Sequence, residues 1–162
     1  MQTEAEKIYP LIKKYLDGKK VVDIGCGARK VVPEAFGIDM VFQSAADMVI
    51  NPADIYNLHH SGKIPKADVV FSSHCLEHLC NPTNALASWA QLLKPMGLII
   101  LYLPDGDFYD NKGNREHVHD WKHETFLAWL KTNLFNSGRI IEAGLHVGEG
   151  LYSFYVVLEV AR

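Results

Sequence analysis

The stretch VVDIGCGARK, Val21 to Lys30, decides how the rest of this chain is read. Val21, Val22 and Ile24 form an apolar run suited to a short buried strand, which carries an acid, Asp23, and leads into Gly25-Cys26-Gly27. Two glycines at a strand end let the backbone turn tightly and let a ligand approach where a Cβ would otherwise stand. Such a pattern suits a nucleotide-like ligand, and the following residues narrow the choice. A dinucleotide phosphate fingerprint is G-x-G-x-x-G, whose third glycine permits close packing of strand on helix. Lys30 occupies that third position, which weakens the phosphate reading. Asp23 argues the same way. The end of a central strand faces the crevice where open α/β sheets bind ligands, and a carboxylate there repels pyrophosphate and attracts an ammonium group.

At this point the chain resembles the class I S-adenosylmethionine-dependent methyltransferases, whose first motif has the form hhD-x-G-C-G. The resemblance implies that Gly25, Cys26 and Gly27 line the methionyl part of the cofactor, with Asp23 near that end. Downstream, Phe36-Gly37-Ile38 leads into Asp39 and Met40. A carboxylate at the end of this second strand can accept both hydroxyls of a ribose. Nicotinamide dinucleotide folds use an acid for the same task, so Asp39 alone does not separate the two cofactors. Residues 28 to 36 include Pro33 and are too few for an ordinary crossover helix, so a stunted helix or a turn is expected there.

Further motifs follow in the family's order. After a third strand over Asp47 to Ile50, NPADIYNL carries Asp54 and Ile55, an acid–apolar pair that the resemblance places at the adenine amine and face. ADVVFSSHCLEHL then supplies a buried strand over Asp68 to Phe71, with Ser72, Ser73 and His74 at its cofactor-facing end. In NPTNALASWAQLLKPMGLIILYLPD, the helical spacing of Leu86, Trp89, Leu92 and Leu93 predicts a helix stopped by Pro95 and Gly97, before a strand over Leu98 to Leu103. These motifs span residues 21 to 105, and the resemblance is weak before residue 19 and after residue 106.

The remaining pattern completes an α/β fold. An amphipathic helix over residues 3 to 16, with Ile8, Leu11, Ile12, Tyr15 and Leu16 on its apolar face, ends at Asp17-Gly18. Strands near 20–24, 36–39, 46–50, 67–72 and 98–103 alternate with helices or loops, which predicts a mostly parallel sheet with helices on its faces. Thr125 to Phe135 reads as a helix. RIIEAGLHV and LYSFYVVLEV, joined by Gly148-Glu149-Gly150, read as an antiparallel hairpin at one edge of the sheet. The expectation is a Rossmann-like, seven-stranded single domain over residues 1–162.

Composition agrees with a globular fold. At 48% hydrophobic and 22% charged residues the chain has the balance of a packed domain rather than a disordered one. A net charge of −3 gives no basic footprint for nucleic acid. No apolar run reaches the roughly 18 residues of a membrane span, and the first residues lack a signal-peptide pattern. Cys26, Cys75 and Cys80 form no C-x-x-C pair, and an odd number of thiols suits a reducing, cytoplasmic setting. Cys26 has no base beside it in sequence, so it reads as cofactor wall rather than nucleophile.

The polar segment DGDFYDNKGNREHVHDWKH, Asp105 to His123, is long for a loop in a compact domain, and such loops are commonly functional. Tyr109 and Trp121 are its candidates for substrate contact. His117 or His119 is the candidate general base for a hydroxyl or amine acceptor. The alternative is a loop that packs Trp121 into the core and leaves its histidines solvated. His117, His119, Asp120 and His123 are metal-ligand types, yet their H-x-H-D-x-x-H spacing lacks a supporting fold, so no metal is assigned. His74 and His78 flank Glu77 without forming H-E-x-x-H, and His78 is read as structural.

The resemblance implies S-adenosylmethionine as cofactor and S-adenosylhomocysteine as product. The short segment before the first strand predicts an open site, completed by the 105–123 loop or by a second subunit in a homodimer. An open site suits a small-molecule, sugar or lipid-linked acceptor. The competing classes are a non-catalytic scaffold of the same fold and, less favoured, a nucleotide-dependent oxidoreductase.

Overall fold

A computed structural model describes residues 2–58, 61–133 and 138–161. Its centre is a seven-stranded sheet in the order β3-β2-β1-β4-β5-β7-β6. The strands are β1 (Val21–Ile24), β2 (Phe36–Asp39), β3 (Met48–Val49), β4 (Ala67–Ser73), β5 (Leu93–Pro104), β6 (Gly138–Gly148) and β7 (Leu151–Val160). The first five run parallel, and β7 is antiparallel to both β5 and β6. The Rossmann-like fold class and the C-terminal hairpin are therefore as expected, with β7 inserted between β5 and the edge strand β6.

Apolar strand faces explain the layers. Helix α1 (Glu4–Leu16) buries Ile8, Ile12 and Leu16 against Val69, Phe71, Ile100 and Val157 on one face of the sheet. Its start is closed by a capping box in which Thr3 Oγ1 accepts the Glu6 N–H and the Glu6 carboxylate accepts the Thr3 N–H. Leu11, expected on the apolar face, is exposed. On the other face α2 (Pro82–Ala90) and α3 (His123–Asn133) bring Leu86, Trp89, Phe126 and Leu130 onto Val22, Val70, Leu101 and Phe154. Alternate residues of one strand thus serve opposite layers, as the period of two requires.

Several boundaries differ from the sequence reading. No helix joins β1 to β2, and the segment containing Pro33 is a series of turns, so the shorter of the two expectations holds. The third strand has two residues, Met48 and Val49, instead of the expected Asp47 to Ile50. Helix α2 ends at Ala90, and Leu93, expected on the helix, opens β5. The Lys94-Pro95-Met96-Gly97 turn lies within β5, where the register against β4 shifts between Ala67 opposite Leu93 and Val69 opposite Leu98. Proline lacks the N–H for a regular ladder and Met96 adopts a left-handed φ of 60°, so the strand is interrupted without ending. Helix α3 starts at His123, and the last two positions of the expected helix, Leu134 and Phe135, lie outside the described residues. Among the described residues no helix is long and apolar enough to cross a membrane.

Candidate active site

The carboxyl ends of β1, β2 and β4 frame a cleft of about 610 Å³, lined by Gly25, Gly27, Asp39, Met40, Val41, Pro52, His74, Cys75, His78, Leu79 and Glu116. Its polar end is Asp39, which is nearly buried. Asp39 Oδ2 accepts the Gly27 N–H at 2.8 Å and Oδ1 accepts the Val41 N–H at 2.8 Å. Each oxygen retains acceptor capacity, so the carboxylate is held in one orientation and can still receive hydroxyl donors. Met40 and Val41, both exposed, extend this end as an apolar lip.

The two glycines have different duties. Gly25 has φ +74°, and a Cβ there would stand 2.6 Å from Cys75 Cβ, so its missing side chain is the space into which the turn after β4 packs. Gly27 has φ +56°, and a Cβ there would meet nothing within 4 Å. Its backbone alone borders the open cleft.

Asp23 is placed under this loop, at 1% exposure, where Oδ2 accepts the Val31 N–H at 2.6 Å. It staples the 28–35 turns to β1. Burial, opposed by the Val31 hydrogen bond, pushes its carboxyl up to about 7. Lys30 lies beside this staple. Its ammonium contacts Asp47 Oδ2 at 2.6 Å, and the same oxygen accepts the Gly37 N–H at 2.8 Å. The residue at the third fingerprint position thus ties two loops together.

Other predicted cofactor residues are distributed around the cleft rather than along it. The Cys26 side chain turns inward, and a Cβ on Gly37 would lie 3.0 Å from its Sγ. Burial pushes this thiol up to about 12, which leaves it inert at neutral pH. Asp54 is exposed and Ile55 is fully buried, both on a 3₁₀ turn (Pro52–Asn57) whose first residue, Pro52, does line the cleft. Ser72 Oγ donates to the Ile24 carbonyl at 2.9 Å inside the sheet. Ser73 Oγ is buried without a hydrogen-bond partner among the described residues. Gly25, Gly27, Asp39, Met40 and His74 are the predicted residues that the cleft brings together.

The opposite end of the cleft is built by HCLEH, residues 74–78. His74 has a left-handed φ of 49°, and its N–H donates to the Tyr102 carbonyl at 2.8 Å. Its Nε2 lies 3.0 Å from Ser153 Oγ, and burial pushes the ring down to about 3, so it stays neutral. A 3₁₀ turn (Leu76–His78) then directs Glu77 inward to 1% exposure, and burial pushes its carboxyl up to about 8. The Glu77 carbonyl accepts the N–H groups of Val118 and His119 at 3.0 and 3.2 Å, which clips the 105–122 loop to this corner.

Within that loop His117 reaches the corner, with its Nε2 4.0 Å from Glu77 Oε1. Tyr109 stacks on Tyr152 and lies beside His117, with centroids 5.6 Å apart. His119 is elsewhere: its Nε2 meets the Leu79 carbonyl at 2.9 Å, and its ring stacks on Trp121 at 4.6 Å. Trp121 packs with Phe126 and Trp129 against the core. Glu77 was missed as a site residue by the sequence reading, and so was the role of His78 as cleft wall. The signal was the H-x-x-E-H spacing, which concentrates three ligating side chains in one turn.

Comparison with known proteins agrees with this architecture. Residues 2–146 match the model of the family described as "Methyltransferase domain". Over 98 residues the chain is 31% identical to the ubiquinone biosynthesis O-methyltransferase of Photorhabdus laumondii, covering 49% of this chain and 40% of the relative. The enzyme of that name from Vibrio atlanticus is 29% identical over 100 residues, 51% of this chain and 42% of the relative. These matches thus span less than half the length of either relative. Among solved structures, a possible histamine N-methyltransferase of Thermotoga maritima superposes with a TM-score of 0.70 at 16% identity, covering 98% of this chain and 89% of that one. The plantazolicin methyltransferase BpumL bound to S-adenosylhomocysteine gives 0.66 at 15% identity, with 98% and 83% covered. The chain belongs to the methyltransferase domain family, and family and fold together imply S-adenosylmethionine as its cofactor.

Proposed function

We propose that this member of the methyltransferase family transfers the methyl group of S-adenosylmethionine to a hydroxyl oxygen of a small or carrier-linked organic molecule, a sugar or lipid-linked precursor among them. The observation that carries the reading is the Asp39 end of the cleft, where a fixed carboxylate with spare acceptor capacity adjoins a glycine whose missing Cβ leaves open space. These features fit the cofactor. Asp39 would receive the ribose hydroxyls, Gly27 would let the ligand lie against backbone, and Met40, Val41 and Pro52 offer apolar surface for a base. When bound, S-adenosylmethionine supplies a sulfonium methyl group that leaves with the C–S electron pair retained by sulfur.

The protein's task is then alignment and exclusion of water, which supply much of the rate in displacements of this kind. An alcohol acceptor must also lose a proton. His74 and His78 line the cleft at the end away from Asp39, which supports that end as the one that receives the acceptor. An oxygen acceptor is favoured because the ubiquinone-pathway relatives act, by name, as O-methyltransferases.

Calorimetric titration with S-adenosylmethionine, S-adenosylhomocysteine and NAD tests the reading. Saturable binding of the first two, absent for NAD and lost in Asp39→Ala, is the expected result. Binding of NAD alone would move the chain to the oxidoreductase class, and no binding of any would favour a scaffold.

A further inference from the structure

Glu77 poses a physical problem that methyl transfer alone does not answer. Its side chain is 1% exposed, and neither carboxyl oxygen has a hydrogen-bond partner among the described residues. Burying a carboxyl group without partners is costly, and natural proteins keep such a group protonated, pair it or give it a metal. What surrounds it is a set of imidazole nitrogens. His74 Nδ1, His78 Nε2 and His117 Nε2 lie 3.8, 3.9 and 4.0 Å from the same atom, Glu77 Oε1. These separations are too long for hydrogen bonds. Ligating atoms of Glu77, His78 and His117 all lie within 4.8 Å of one another. Donors about 2.0–2.2 Å from a tetrahedral metal stand roughly 3.3–3.6 Å apart, so a modest contraction would close the set around an ion.

The hydrogen bonds on the far side of the rings point the same way. His78 Nδ1 lies 3.0 Å from the Glu116 carbonyl, which can only accept, so Nδ1 carries the hydrogen and Nε2 presents its lone pair toward Glu77. His117 Nδ1 lies 2.7 Å from Asn111 Oδ1. The Asn111 amide is itself oriented, because its Nδ2 donates to Asp120 Oδ1 at 2.6 Å. The chain Asp120–Asn111–His117 therefore fixes the His117 tautomer with Nε2 free. Locking the outer nitrogen of each imidazole through a carbonyl is how metal-ligating histidines are held.

We propose that Glu77, His78 and His117 form a binding site for a divalent first-row transition metal of the zinc type. One carboxylate and two neutral imidazoles suit such an ion better than magnesium or calcium, which prefer oxygen donors. The His117 side chain is 5% exposed and the His78 side chain 32%, so the site is closed on the loop side and open on the cleft side. A metal there takes its remaining ligand from the cleft. Resting on the methyl-transfer reading, that ligand is the acceptor's hydroxyl, whose acidity the ion raises. The O–H proton passes to solvent, the oxygen pair forms the O–C bond, and the C–S bond breaks with its pair on sulfur, so no further co-reactant enters.

The test is titration of the chelator-treated chain with ZnCl₂ by calorimetry, with S-adenosylhomocysteine binding measured on each variant. One equivalent of Zn²⁺ bound, with affinity reduced at least 100-fold in Glu77→Gln and in His78→Ala while S-adenosylhomocysteine still binds, is the expected result. Asn111→Ala, which keeps every ligand, should weaken Zn²⁺ roughly 10-fold, the scale of outer-shell losses. No saturable binding by the unaltered chain, or binding indifferent to Glu77→Gln, would overturn the site. Metal binding that survives when S-adenosylhomocysteine fails to bind would retain the site and reject the methyl-transfer reading. Methyl transfer unchanged by removing the metal would reject the acceptor role.

Discussion

The two ends of the cleft hold carboxylates in opposite conditions. At one end both oxygens of Asp39 accept backbone N–H groups from Gly27 and Val41. At the other both oxygens of Glu77 are buried with no hydrogen-bond donor among the described residues. A satisfied carboxylate is oriented by the fold and is ready before any ligand arrives. An unsatisfied one destabilises the empty corner and is relieved by what binds there. The fold thus completes the Asp39 end by itself and leaves the Glu77 end without partners among the described residues.

Gly25 joins the two ends, because its missing Cβ is the space that Cys75 fills. Gly25→Ala should therefore disturb both at once, lowering stability by about 2–4 kcal/mol through close contact and a left-handed backbone. Urea unfolding would measure this, and a loss under 1 kcal/mol would mean that the loop relaxes freely. Asp39→Ala should act on one end only. Removal of two charged acceptors should cost roughly 100-fold or more in S-adenosylhomocysteine affinity, with Zn²⁺ titration unchanged within about threefold, and joint loss would erase the distinction between the ends.

Asp23 supplies a test by pH. Its carboxyl is raised to about 7 by burial, so from about pH 4 to pH 7 the folded chain binds more protons at this residue than the unfolded chain. Its contribution to stability is greatest when it is protonated and declines as pH rises through that window. Asp23→Asn should remove this slope. Stability of the variant relative to the parent should rise by on the order of 1–3 kcal/mol between pH 4.5 and 7.5, read from urea midpoints. A parallel pair of pH profiles would show that Asp23 is not held as described. The smallest effect belongs to His119, whose nitrogen is occupied by the Leu79 carbonyl and whose ring lies on Trp121. His119→Gln should alter methyl-transfer rate by less than about twofold, and a 100-fold loss would restore it as the base.

Much of the sheet was legible because strand ends in α/β folds face the ligand crevice. That rule located Gly27, Asp39, Met40 and His74. It did less well within each motif, because the rule names the end of a strand and not the direction of each side chain in the turns that follow. Cys26, Ser72 and Ile55 follow or precede cleft residues closely and face the interior. Asp23 was drawn toward a ligand by its charge, although its buried partner is the N–H of Val31, which becomes its neighbour only when the turns fold back. The Glu77 corner was least legible. His74 and His78 were read only as flanking Glu77, and a left-handed residue and a 3₁₀ turn set the directions of all three side chains. His117 arrives from a distant loop, and no local spacing announces such a meeting. The KPMG signal marked a real turn, but the turn proved to be a kink inside β5.

The clip between the Glu77 carbonyl and the amides of Val118 and His119 has an observable signature in isotope exchange. These two amides belong to a stretch with little regular structure, yet their hydrogens are held by the same peptide that positions the buried acid. In heavy water they should exchange only when the corner opens, so their protection measures the free energy of that opening directly. A loop that looks irregular in outline would then show, at two positions, the slow exchange of a sheet.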